Sequence, residues 1–156
     1  MKNIYTYGGC PEKRNLTVYD LVNSKGKAQF TQVTASTCEE AKAAETAGID
    51  ILSCSTDEYL AVRSGAKETL IISALPPVKY ISATEILRAA YEALEAGSDA
   101  IYTTRGIPAI EILAREDIPV MTHRSSCREN QPRSVDCEQL GKTQTRHMNC
   151  TASLSG

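Results

Sequence analysis

No two of the six cysteines, at positions 10, 38, 54, 127, 137 and 150, stand at CxxC spacing, and only two histidines accompany them. Zinc-ligand spacing is therefore missing, and nothing in a chain of this kind calls for a disulfide framework, which leaves scattered thiols. Charge of one sign is also scarce. A net charge of −2 gives no electrostatic footing for nucleic acid. No stretch approaches the length of a membrane span, which excludes a bilayer helix. The opening MKNIYTYGGCPEKRN lacks the apolar core of a signal peptide, so the expected location is the cytoplasm. Neither a GxGxxG nor a P-loop pattern follows any predicted strand, which argues against nucleotide binding.

What is present describes an ordinary globular chain. The 156 residues are 42% apolar and 23% charged, enough for one domain with a real core. The stretch from Ala96 to His123 reads as strand, helix, strand: DAIYTT, then IPAIEILARE at helical spacing, then IPVM. Gly106 and Pro108 fit the turn and first helical turn between them. The same alternation runs back toward the N-terminus. LTVYDLVNSKGK is a short helix with Thr17 as cap and Gly26 as stop, and Phe30 to Ala35 is a first strand. CEEAKAAETAG is a helix capped by Thr37, followed by the strand IDILSC, the helix DEYLAVRSG ending at Gly65, and the strand TLIISAL. SATEILRAAYEALEAG is the clearest helix. It places Ile86, Leu87, Ala90, Tyr91 and Leu94 on one face, with Ser82 and Glu85 as a capping box. Five strands alternating with four helices predict an α/β fold with a parallel sheet. Periodicity alone leaves an open doubly wound sheet and a barrel both available.

Residues 1–15 are polar and aperiodic and read as a flexible lead. Residues 124–156 show neither helical nor alternating pattern, carry three of the six cysteines and few branched aliphatics, and read as an irregular tail.

From about Leu16 to His123 the chain resembles the ketopantoate (3-methyl-2-oxobutanoate) hydroxymethyltransferase family, as a divergent member. The resemblance rests on LTVYDLVNSKGK, EEAKAAETAGIDIL, IISALPPVKY, EILRAAYEALEAGSDAIY and IPVMTH, taken in that order and spacing. It implies a (β/α) TIM-type barrel of the phosphoenolpyruvate/pyruvate superfamily, here a partial one of about five strands over residues 16–123, with its site at the C-terminal strand ends. It further implies hydroxymethyl transfer from methylene-tetrahydrofolate to a small 2-oxo acid, 2-oxoisovalerate, in pantothenate biosynthesis. Mg²⁺ would polarise the acid, and the protein would be a homo-oligomer.

Carried over by position, this pattern gives His123 at the end of the fifth strand as the catalytic residue. Asp57, one position out of register with Thr56, is the metal-ligand candidate. The remaining ligand positions fall on Ala74, which has no ligating atom, and on Thr104, while the family's Lys falls on Tyr102. Ser55, Thr56 and Thr104 are the substrate-binding candidates. One displaced carboxylate is too few for a hard cation, so the residues predict impaired or absent family chemistry. The alternatives are a metal-independent barrel enzyme on another small 2-oxo acid or phosphorylated C3 compound, and a non-catalytic truncated fragment. Each candidate also has a plainer role. Asp57 before a helix suits an N-cap, His123 a hydrogen-bonded structural position, and Tyr102 to Thr104 an ordinary strand. Arg105 suits either a clamp on an anionic substrate or a solvated loop.

The family continues beyond this histidine with a run like LGLVPRKSTxxGGLRAVGKTADEA. Read from the third base of each codon, Cys127 to Pro132 allow Pro-Arg-Lys-Ser-Thr and Ser134 to Gln139 allow Ile-Gly-Gly-Leu-Arg-Ala. Leu140 to Arg146 then allow a Val-Gly-Lys-like continuation. The expectation is that residues 124–156 are an out-of-frame product and that the barrel is truncated by it. An open barrel leaves apolar strand edges exposed, so poor expression or aggregation is expected of the isolated chain. Resequencing that region of the gene tests the frame slip. The shifted frame should carry the family continuation, and an intact frame without one ends the idea.

Overall fold

The computed structural model describes residues 1–122, which form one compact unit, Met1–Thr122. The irregular tail expected at 124–156, and His123 before it, lie outside the described residues. The elements run β1 (Lys2–Tyr5), β2 (Pro11–Arg14), α1 (Val18–Asn23), β3 (Gln32–Thr34), α2 (Cys38–Thr46), β4 (Ile51–Ser55) and α3 (Tyr59–Gly65). β5 (Leu70–Ala74), α4 (Ala83–Glu95), β6 (Ala100–Thr103), α5 (Ile107–Arg115) and β7 (Val120–Thr122) complete the series. Strands β3 to β7 form one parallel sheet in the order of the sequence.

That order decides the architecture. A doubly wound sheet reverses its strand order at a switch point, and this sheet does not. Right-handed crossovers between strands taken in sequence put every connecting helix on the same face. The strand register agrees. Leu52, Ile71 and Ile101 point one way and pack with Ala41, Tyr59 and Val62 from α2 and α3, or with Ile86, Leu94 and Leu113 from α4 and α5. The alternate residues Ile51, Leu70, Ile72 and Ala100 point the other way and meet Leu16, Val18, Leu21 and Phe30 around α1. A sheet with all its crossover helices outside and a short helix under one end is part of a (β/α) barrel.

Local signals behave as the residues require. Thr17, Thr37 and Ser82 each accept a hydrogen bond from the backbone of the third helical residue. The third-residue acids Asp20, Glu40 and Glu85 reach back in full capping boxes. Hydrogen bonds from Lys2 and Thr17 hold the Asp20 carboxyl at about 2, well below its ordinary range. Two details differ from expectation. Tyr91, placed on the buried face of α4, is 38% exposed. Its ring leans toward Tyr7, and its hydroxyl donates to Glu116 at 3.0 Å.

The second difference is larger. The stretch read as a flexible lead, 1–15, forms the antiparallel hairpin β1–β2. Arg14 is only 1% exposed. Its Nε donates to both Asp99 carboxylate oxygens at 2.9 and 3.0 Å, and Nη1 donates to the Lys13 and Lys67 carbonyls. Asp99 also accepts from Arg63 Nη2 at 2.8 Å and from the Ile71 amide at 2.9 Å. Burial works against the charge on Arg14, but Asp99 and Glu12 outweigh it and raise its pKa above the ordinary value. Removing one partner of such a buried pair costs about 3–5 kcal/mol, since the other charge is left uncompensated.

Gly65 ends α3 for a reason that helix-stop statistics do not supply. A Cβ there would stand 2.1 Å from the Cys38 carbonyl oxygen and 3.1 Å from the Ala41 Cβ. The glycine lets α3 lie against the start of α2. Gly65→Ala should therefore destabilise the fold by about 1–3 kcal/mol through overpacking, in contrast to the gain usual for this exchange in a helix. Urea denaturation checks this, and an unchanged or raised midpoint would refute it.

Candidate functional site at the C-terminal strand ends

The inner face of the sheet is layered. Its lower layer is apolar and buried: Ile51, Leu70, Ile72 and Ala100, closed beneath by the α1 region. Ser53 stands level with Ile72 and Ala100, and one pleat higher the same face carries Ser55, Ala74 and Tyr102, all half-buried. The layer is small and polar where the floor is aliphatic. Thr34 continues it at the sheet edge, its hydroxyl 3.0 Å from that of Ser53.

The strand tips are laced together. The Thr56 amide donates to the Ala74 carbonyl at 3.1 Å, and the Leu75 amide donates to the Tyr102 carbonyl at 2.9 Å. The ends of β4, β5 and β6 therefore advance side by side. With strands about 4.8 Å apart, Thr56 and Thr104 are separated by roughly 10 Å across the mouth. Ser55, Thr56 and Thr104 all fall in this band and are all half-buried. The Ser55 amide donates to the Glu58 carboxylate at 3.3 Å, and the Glu58 amide returns to the Ser55 carbonyl at 3.0 Å, which tightens the turn after β4.

Asp57 does something else. The N-cap of α3 is Glu58, without a side-chain cap, so Asp57 does not cap the helix. Its side chain is 57% exposed and forms an ion pair with Lys79 from the loop after β5. That pairing raises the lysine's pKa. Among the described residues no three His, Cys, Asp or Glu side chains come together in a way that fits a metal ion. The groups at the strand ends are hydroxyls, backbone groups and the Glu58 carboxylate, which already accepts from the Ser55 amide, and the candidate carboxylate of Asp57 is paired with Lys79. Such a set does not fit Mg²⁺, which asks for carboxylate oxygens in octahedral geometry. His123 lies outside the described residues, so its placement adds nothing here.

For two further groups the structure adds what the sequence could not show. Burial pushes the Cys54 thiol up to about 11, and its side chain points to the helix side beside Ser73, so it is a packing residue and not a nucleophile. The Thr56 hydroxyl is the opposite case. Among the described residues it is the one buried side-chain oxygen or nitrogen without a hydrogen-bond partner. Buried polar atoms are nearly always satisfied, so this enclosed orphan just past the end of β4 is a site at which a partner is missing. No sequence pattern marks it, because the signal is an unmade bond.

Fold and layering together define a partial (β/α) barrel with a small, neutral mouth above an aliphatic floor. The comparisons agree on the fold. 2,3-Dimethylmalate lyase, a PEP mutase/isocitrate lyase superfamily member, superposes with a TM-score of 0.53 at 13% identity, over 82% of this chain and 60% of that one. At that identity the likeness is one of fold. No family model matches the chain. In sequence it is similar to the 3-methyl-2-oxobutanoate hydroxymethyltransferase of Kosmotoga olearia, 29% identical over 133 residues, covering 69% of this chain and 50% of that protein. The resemblance read from the motifs thus stands, and the chain spans about half the length of the curated relative that it matches.

An orphan hydroxyl makes an unusual prediction. Thr56→Val removes a buried group with no partner, so the ligand-free protein should be unchanged or up to about 1 kcal/mol more stable. Thermal denaturation without added ligand checks it. A loss of stability would show that the hydroxyl is bonded in the free protein.

Proposed function

We propose that this chain is a divergent relative of the ketopantoate hydroxymethyltransferases whose mouth takes a small branched 2-oxo acid of the 2-oxoisovalerate type. The observation that carries the reading is the layered inner face. An aliphatic floor of Ile51, Leu70 and Ile72 matches a branched hydrocarbon tail. Ser53 beside Ile72 and Ser55 one pleat higher supply hydrogen-bond donors for the oxo and carboxylate end, with Thr56 next to them at the strand tip. The family's hydroxymethyl transfer, with methylene-tetrahydrofolate and Mg²⁺, is on this reading impaired in the present chain. Ala74, Tyr102 and Thr104 fill the positions where the resemblance implies Asp, Lys and Glu, and Asp57 is bound to Lys79. A Lewis acid works by polarising the acid's oxygen, and the described residues offer no carboxylate set to hold one there.

Exchange of the hydrogen next to the oxo group of 2-oxoisovalerate with deuterium from solvent separates the possibilities. Exchange should be no faster with Mg²⁺ than without, while ligand-observed NMR registers binding of the acid. Exchange that depends on Mg²⁺ would restore the family chemistry. Absence of binding as well as of exchange would leave a non-catalytic fragment as the better reading.

A further inference from the structure

A cavity of about 210 Å³ lies between the β1–β2 hairpin and the N-terminal end of the sheet, opposite the mouth. Ile4 of β1, Leu16 and Val18 around the start of α1, and Leu94 of α4 give it apolar walls. Tyr5 and Tyr7 also line it, although they are 80% and 50% exposed. Tyr7 is steadied by a tilted contact with Tyr91, the ring centres 6.3 Å apart. Aromatic rings beside an apolar cavity are what small-molecule pockets use to cover an apolar body. A cavity of about 150 Å³ already admits a benzene ring. This one has room for a ring and a short polar substituent.

The polar part of the wall decides what that substituent is. Three of its polar side chains, Arg14, Ser98 and Asp99, are almost out of solvent. Arg14 has spent its N–H groups: Nε on Asp99, Nη1 on the Lys13 and Lys67 carbonyls, Nη2 on Glu12 and the Gly97 carbonyl. The Ser98 hydroxyl gives its hydrogen to the Ala100 carbonyl at 3.0 Å. What remains are lone pairs, on Ser98 Oγ and on Asp99 Oδ1, which accepts from Arg14 Nε alone. Charge is balanced too, with Arg14 and Arg63 set against Asp99 and Glu12. The wall therefore asks for a donor without charge.

We propose that this cavity is a second ligand site, for a small neutral molecule with an apolar ring or branched chain and one hydroxyl. The site stands apart from the mouth and does not depend on the 2-oxo acid reading. The apolar body fills the space between Ile4, Leu16 and Leu94, and the hydroxyl donates to the lone pairs of Ser98 and Asp99. An anion is turned away, since these side chains have no N–H left for it. Occupancy ties the hairpin to the sheet, and a ligand that binds only the folded chain raises its stability.

Benzyl alcohol, toluene and benzoate, added separately to the whole chain, test this through amide chemical shifts and thermal denaturation. Benzyl alcohol should shift the amides of Ile4, Leu16, Val18 and Leu94 saturably and raise the melting temperature, while benzoate does neither. Ser98→Ala should weaken benzyl alcohol by about three- to tenfold, the scale of one neutral hydrogen bond, and leave toluene unchanged. Ile4→Trp, which fills the space, should abolish binding of both. Circular dichroism of each variant checks folding. Absence of saturable shifts at these amides in the native chain overturns the site, as does full affinity in Ile4→Trp. Benzoate bound as tightly as benzyl alcohol, or an equal loss of toluene and benzyl alcohol in Ser98→Ala, overturns the hydroxyl assignment.

Discussion

Asp99 holds the described half of the barrel together. It stands just before β6 and accepts from Arg14 of the hairpin, from Arg63 of α3 and from the amide of Ile71 in β5. One carboxylate thus joins four segments of chain at the N-terminal end of the sheet. Arg63 extends the network to the carbonyls of Ala66, Lys67 and Thr69 and to the Tyr59 hydroxyl. Glu45 of α2 gathers the amides of Lys67, Glu68 and Thr69 from the same loop. Burial works against its ionisation, but those hydrogen bonds and the one from the Thr69 hydroxyl prevail and keep its pKa below the usual range. The consequence is positional. With β5 and β6 set at their start by fixed charges, their far ends meet in a defined register at the mouth.

The barrel divides its chemistry by end. The N-terminal end spends Arg14, Arg63 and Asp99 on structure, paired with one another and largely out of solvent. The C-terminal end is neutral inside and carries its charges on loops: Asp57 with Lys79, and Arg105 on the Tyr80 carbonyl. That arrangement suits recognition of a small anion and suits a hard metal poorly. Gly97 shows how close the structural end is packed. Its φ of +107° admits glycine, a Cβ would meet the Tyr59 hydroxyl at 3.1 Å, and its carbonyl faces both arginines.

Short-range chemistry was legible in the sequence. The caps Thr17 and Thr37, the capping box of Ser82 and Glu85, the order of strands and helices, and the strand that ends at the mouth follow from residues within a turn or two of each other. The hairpin was not, because what stabilises it is a side chain 85 residues away. Asp57 read as a cap since its ion-pair partner Lys79 lies 22 residues on, in a loop without periodicity. Gly65 read as a stop although its task is to admit the Cys38 carbonyl. For the site, spacing located the strand tips that carry Ser55, Thr56 and Thr104. It did not show that the Thr56 hydroxyl is unpaired or that Arg105 meets the Tyr80 carbonyl, since both depend on neighbouring segments.

The central claim is that the barrel scaffold persists while the described residues at its strand ends do not fit a divalent metal. Paramagnetic relaxation tests it most directly. Mn²⁺, a stand-in for Mg²⁺ that broadens nearby amide resonances, is titrated into the labelled chain in the presence of 2-oxoisovalerate. The account predicts no selective broadening at Ser55, Thr56, Ala74, Tyr102 and Thr104. Selective broadening of those amides at equimolar Mn²⁺ would contradict it.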